Sequence, residues 1–175
     1  MLNFVAKIIA ALAEGRCEFV VVGGISAVLH GAPIVTQDLD VTYRRTRDNL
    51  ARIADALKPL KLRHRNLPDG VPNVFDFRSL ELGTNFTLMM EDGEEFDLLG
   101  LMSGIGGYDD IIGRTVSMDV GGHEVQVLSL EDLIRTKRAA GRLKDLAVIP
   151  TLEATLQMQR ELDQQSDEPG QQPLS

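Results

Sequence analysis

A single cysteine, Cys17, stands among the 175 residues of this sequence. No disulfide can form within the chain, and a reducing compartment is the natural expectation. Glu18 and Phe19 beside it would raise a thiol pKa rather than lower it, which assigns Cys17 a buried structural place rather than a nucleophile's. Apolar runs are short: none reaches the ~18 residues that a membrane-spanning helix needs. Lys7 interrupts the opening "MLNFVAKIIAALAEG", leaving too short an apolar region for a secretory signal. Phe4, Val5, Ile8, Ile9 and Leu12 recur instead at the spacing of an amphipathic helix. A cytoplasmic protein with no membrane association is expected.

Positive charge is also scarce. A formal net charge of −8 and a pI near 4.9 argue against a dedicated duplex-DNA binder, which shows a basic footprint. His30, His64 and His123 are scattered without the spacing of a zinc site. The sequence contains no G-x-G-x-x-G fingerprint and no glycine followed by lysine, so neither a Rossmann turn nor a P-loop is present. No internal repeat is visible.

What is present suffices for one core, since 43% of the residues are hydrophobic. Residues 1–163 read as one domain and 164–175, "QQSDEPGQQPLS", as a polar disordered tail. "EFVVVGG" reads as a buried strand, "ISAVLHG" as a short helix, "TQDLDVTYR" as a second strand and "RDNLARIADALK" as a helix stopping before Pro59. "KLRHR" suggests a short strand, and 66–84 a loop with some strand that shapes a substrate pocket. Two hairpins follow, the first turning in type I′ geometry at Asp92 and Gly93, the second at Gly121 and Gly122. Ser129 and Asp132 resemble a capping box for a helix ended by Gly141, and a last helix is disturbed by Pro150. The class is α/β, a mixed β-sheet with flanking helices.

Asp38 and Asp40 stand two apart on the second strand, so they share a face while Leu39 and Val41 enter the core. Adjacent carboxylates repel unless a cation compensates, and hard oxygen donors favour Mg²⁺ or Mn²⁺. Asp97, set between Phe96 and Leu98, is the candidate third acid; Glu95 lies on the same face and is the alternative. Gly23 and Gly24, opening a helix, let backbone N–H groups approach a phosphate, and Ser26 can add a hydroxyl. Eight of the eighteen basic residues lie between Arg44 and Arg65, a segment able to draw an anionic substrate or RNA toward the acids.

The "GG" turn after an apolar strand, "TQDLDV" and a separate "FDLL" resemble the nucleotidyltransferase superfamily of the DNA polymerase β type in its minimal single-domain form. The closing "SLEDLIRTKRAAGRLKDLAVIPTLEA" is similar to that of predicted nucleotidyltransferases akin to bacterial abortive-infection toxins. The resemblance implies transfer of a nucleoside monophosphate from an NTP such as ATP to a hydroxyl, with Asp38, Asp40 and Asp97 holding two metals and Asp97 serving as base. It further implies that Gly23, Gly24 and Ser26 cradle phosphates, with Lys137 and Lys144 facing the triphosphate and Arg142 and Asp145 completing the motif. Lys137 and Lys144, seven apart, would share a face of one continuous helix. The acceptor is open among RNA, protein and a small molecule. The rival reading is an inactive nucleotide-binding module, or one half of a toxin–antitoxin-type pair with an antitoxin-like partner.

Overall fold

Phe19–Val22 (β1) is buried at every position, as a β-branched run covered on both faces should be. Val21 joins one apolar cluster while Val20 and Val22 join another, so the strand separates two layers. The computed structural model describes residues 2–36, 38–65, 67 and 74–167. Around β1 stand β2 (Leu39–Tyr43), β3 (Arg63–His64), β4 (Asn85–Met89), β5 (Glu95–Leu99), β6 (Thr115–Val120) and β7 (His123–Leu128), in the order β3-β4-β5-β2-β1-β7-β6. β1 runs antiparallel to β2 and parallel to β7, and β2 runs parallel to β5. The sheet is therefore mixed, as expected for the α/β class.

One face is covered by α1 (Leu2–Glu14), α3 (Arg47–Leu57) and α4 (Phe77–Leu82), through Ile8, Leu12, Ile53 and Leu80. The other carries α2 (Gly23–Leu29), α5 (Tyr108–Ile111), α6 (Leu130–Ala140) and α7 (Leu143–Asp167), through Ala27, Ile111, Leu133 and Leu152. Leu39, Val41, Tyr43, Phe96 and Leu98 all belong to the first layer. Alternation then turns Asp40, Thr42, Asp97 and Leu99 toward the second, where the Thr42 hydroxyl donates to the Leu99 carbonyl at 2.7 Å.

Several expectations change in detail. A helix, α4, occupies part of the stretch read as loop and strand: Asp76 accepts from the Ser79 backbone N–H at 2.9 Å and Ser79 returns a bond, a capping box. Residues 66 and 68–73 of that stretch lie outside the described residues. Gly121 and Gly122 have φ of 65° and 87°, the double positive φ of a type I′ turn, whereas in the first hairpin Gly93 is at 90° and Asp92 is not positive. That turn is wider, with Met90 N–H donating to the Glu94 carbonyl at 2.9 Å. Helix α7 continues through Pro150 to Asp167, so the boundary expected at 163/164 falls within it, and 168–175 lie outside the described residues. Among the described residues no helix is long and apolar enough to cross a membrane.

Asn49, fully buried, ties α3 to the strand ends: its carbonyl accepts from Glu18 N–H at 2.8 Å and its amide donates to the Glu18 and Arg44 carbonyls at 2.9 Å each. Asn49→Ala leaves buried backbone groups unpaired and should cost about 2 kcal/mol, measured as a lower urea midpoint at unchanged m-value.

Candidate active site

Strand register assembles the site. Val22 pairs with Asp40 across β1 and β2, and Asp40 pairs with Asp97 across β2 and β5. The two acids are thus immediate neighbours on one face, at the point where β1 gives way to Gly23. Gly23 has φ +64°, and a Cβ there would lie 1.9 Å from Asp40 Oδ2; a Cβ on Gly24 would lie 2.4 Å from Thr36 Oγ1. The Gly24 backbone N–H lies beside the Asp40 carboxylate and favours its charged form. The paired glycines are therefore explained first by the closeness of Asp40 and Thr36, ahead of any room they leave for a phosphate. Gly23→Ala combines a left-handed backbone with a clash against the acid. It should reduce turnover about a hundredfold and lower the melting temperature, whereas Gly31→Ala, equally left-handed but in open space at φ +87°, should cost stability alone.

A cavity of about 530 Å³ opens over this face. Asp38, Asp40, Asp97, Gly23, Gly24, Lys137 and Lys144 all line it, so seven of the eight expected site residues come together. The eighth, Ser26, is fully buried and does not line the cavity; its hydroxyl donates to the Gly23 carbonyl at 2.9 Å. A serine in the first turn of a helix bonds the carbonyl three residues back in this way, so Ser26 supports the turn rather than facing a ligand. Glu95, the alternative third acid, is held by Arg65 at 2.7 Å and is not in the cavity wall.

Burial is the main cause that pushes the Asp40 carboxyl up from 3.8 to about 7; the Asp97 charge adds to it, Lys137 opposes it, Asp38 raises it further and the Gly24 N–H lowers it. Asp38 lies just before β2 and is exposed at the cavity rim.

The opposite wall comes from the α6–α7 junction. Gly141, at φ +64°, ends α6 as the sequence predicts, so Lys137 and Lys144 do not share one continuous helix. Lys137 in the last turn of α6 and Lys144 at the start of α7 reach the cavity from either side of that turn. Between them Asp145, 1% exposed, takes Lys137 Nζ at 2.7 Å and also accepts from Arg142 Nε. Burial acts to raise the Asp145 pKa, but the hydrogen bonds and charges of Arg142 and Lys137 outweigh it and leave the group below its ordinary value. Arg142 and Asp145 also line the cavity. The motif names both residues without a role in the cavity, although an Arg and an Asp three apart at a helix start are within bonding reach.

Among the described residues no group of three or more His, Cys, Asp or Glu side chains is arranged to hold a metal ion. The pair Asp40 and Asp97 nevertheless suits a hard divalent cation: Mg²⁺ commonly takes one or two protein carboxylates and completes its shell with substrate phosphates and water. The three histidines stay apart, and His30 closes α2 with Nε2 donating to the Leu128 carbonyl at 2.9 Å. Burial pushes the Cys17 thiol up to about 11, against a smaller opposing effect of Arg52, in keeping with a structural role. The basic segment lies away from the cavity: no residue between Arg44 and Arg65 lines it, and within the segment Arg44 and Arg52 pair with Glu18 and Arg44 also with Asp109.

No protein-family model matches the chain, and no curated protein matches it. Solved structures do. The crystal structure of ANT(2")-Ia in complex with adenylyl-2"-tobramycin is similar at a TM-score of 0.59 and 16% identity, over 89% of this chain and 88% of that one. The lincomycin-bound lincosamide antibiotic adenylyltransferase LnuA is similar at 0.56 and 12%, over 85% and 93%. A candidate nucleotidyltransferase from Thermotoga maritima is similar at 0.52 and 18%, over 90% and 92%. Taken with a mixed sheet that sets Asp40 beside Asp97 at a double-glycine turn, these likenesses establish that the chain has the nucleotidyltransferase fold.

Proposed function

We propose that this protein transfers a nucleoside monophosphate from an NTP to a hydroxyl group of an acceptor. The observation that carries the reading is the in-register pair Asp40 and Asp97, facing Lys137 and Lys144 across one cavity. The basic wall suits a triphosphate, where lysine acts as a point charge. Asp40 and Asp97 would hold Mg²⁺ or Mn²⁺, whose charge offsets that of the phosphates, with Asp38 beside them at the cavity rim. The acceptor oxygen attacks the α-phosphorus, the bond from that phosphorus to the oxygen bridging to the β-phosphate breaks, pyrophosphate leaves, and the hydroxyl proton passes to Asp97 as base. Asp145 and Arg142 fix Lys137 beside the leaving phosphates. Two of the similar structures carry names of adenylyl transfer to antibiotics, which supports a small-molecule acceptor above RNA or protein.

The test is label transfer from each α-labelled NTP, with Mg²⁺, in a cell lysate supplemented with purified protein, wild type against the Asp38→Asn/Asp40→Asn double variant. Label on one species with wild type alone is the expected result and names the acceptor. NTP-dependent thermal stabilisation without label from any NTP would favour the nucleotide-binding module instead.

A further inference from the structure

A second hollow, about 470 Å³, adjoins the cavity of the acids. Val5 of α1, Ile25 and Val28 of α2, Val120 at the β6–β7 turn, and Ile34 and Val35 of the segment leading to Asp38 form its walls. Thr36 is the one polar side chain among the described residues that line it. Val35 is 90% exposed and Val28 41%, so the groove presents apolar surface to water in a concave form, a mark of a ligand site rather than of scattered surface residues.

Its position gives it an occupant. Ile34, Val35 and Thr36 line both hollows, and Asp38 follows two residues later. Helix α2 has Gly23 and Gly24 at its start, in the cavity, and Leu29 at its end, in the groove; its seven residues span about 10 Å. A molecule of drug size therefore reaches from one to the other. We infer that the groove holds the apolar body of the acceptor, a small molecule carrying an aliphatic or aromatic part beside the hydroxyl that is modified. The inference rests on the transfer reading above. The nucleotide is the poorer occupant, because the polar edge of a base would lose its water partners against these walls. An RNA strand is poorer still, since among the described residues no cation lines the groove to meet its phosphates.

The uncharged fluorophore N-phenyl-1-naphthylamine serves as probe, with alkyl glucosides of rising chain length as competitors. Wild type should bind the probe, and displacement should strengthen about fourfold per methylene added to the competitor. Val28→Glu and Val35→Glu, both at exposed positions and checked for an intact circular dichroism spectrum, should each weaken probe binding at least tenfold. ATP with Mg²⁺ should leave the probe in place, and the probe should inhibit label transfer competitively against the lysate acceptor. Displacement by ATP alone would assign the groove to the nucleobase and overturn the proposal. A wild-type dimer that Val28→Glu converts to monomer would make the groove a self-interface and overturn it likewise. Transfer undiminished at saturating probe would sink the groove while leaving the transfer reading intact; absence of transfer to any acceptor would sink that reading itself.

Discussion

Asp40→Asn should lower nucleotidyl transfer at least about a thousandfold, the scale on which removal of a charge-stabilising group acts, and at the same time raise the melting temperature of the ligand-free protein above neutral pH. Both effects come from one placement. Burial, with Asp97 alongside, pushes the Asp40 carboxyl from 3.8 to about 7. A folded-state pKa above the unfolded one means that stability fully present below about pH 4 is lost as pH rises through 7. The displacement corresponds to up to roughly 4 kcal/mol at full ionisation. Asparagine keeps an acceptor for the Gly24 N–H and cannot ionise. The wild-type melting temperature should therefore fall between about pH 4 and 7 while that of the variant stays nearly flat. Mg²⁺ with an NTP should restore wild-type stability at pH 8 and do little for the variant. Parallel pH profiles for the two proteins, or retained turnover in the variant, would remove Asp40 from the centre of the site.

How far the site could be read from residues alone depends on the range of the interaction. The alternation that puts Leu39 and Val41 in the core is local, and it correctly turned Asp40 to the opposite face with Thr42. Glu95 and Asp97 share a face by the same rule, so periodicity could not choose between them. The choice is made by Arg65, which follows β3 and pairs with Glu95, a contact set by sheet order. Gly23 announced a turn, but its need to clear Asp40 exists only because Val22 and Asp40 are in register. Ser26 fell out of the site because its hydroxyl is satisfied within its own turn. Helix α4 was missed because six residues are too few to show a helical period, and its capping box, Asp76 with Ser79, lacks the Glu or Gln that usually marks one. Gly141, legible in the sequence as a helix end, takes the left-handed conformation that ends α6, so the seven-residue spacing does not join Lys137 to Lys144; the turn between α6 and α7 brings both to the cavity.

Asp145→Ala should cost about 3 kcal/mol and raise the KM for NTP about tenfold. Asp145 is 1% exposed, whereas the Lys137 and Arg142 side chains are 22% and 63% exposed. Removing the carboxylate strands a mostly buried ammonium, and breaking a buried pair from one side costs 3–5 kcal/mol. The low end applies because Arg142 can turn to water. The loss also removes an acid from the first turn of α7, where it complements the helix dipole. Because the folded-state pKa of Asp145 lies below its unfolded value, its contribution is present above about pH 4 and is lost as pH falls through the folded value. The stability gap between wild type and variant should accordingly close under acid conditions. Position and charge are separated by a double-mutant cycle with Lys137→Met. If Asp145 acts by holding Lys137 against the triphosphate, the two changes will be strongly non-additive in KM for NTP, and Asp145→Glu will recover part of the affinity. If instead Asp145→Ala lowers the melting temperature but leaves the KM for NTP unchanged, the Lys137–Asp145 bridge joins α6 to α7 and nothing more, and the phosphates must be met by Lys144 and the turn at Gly23.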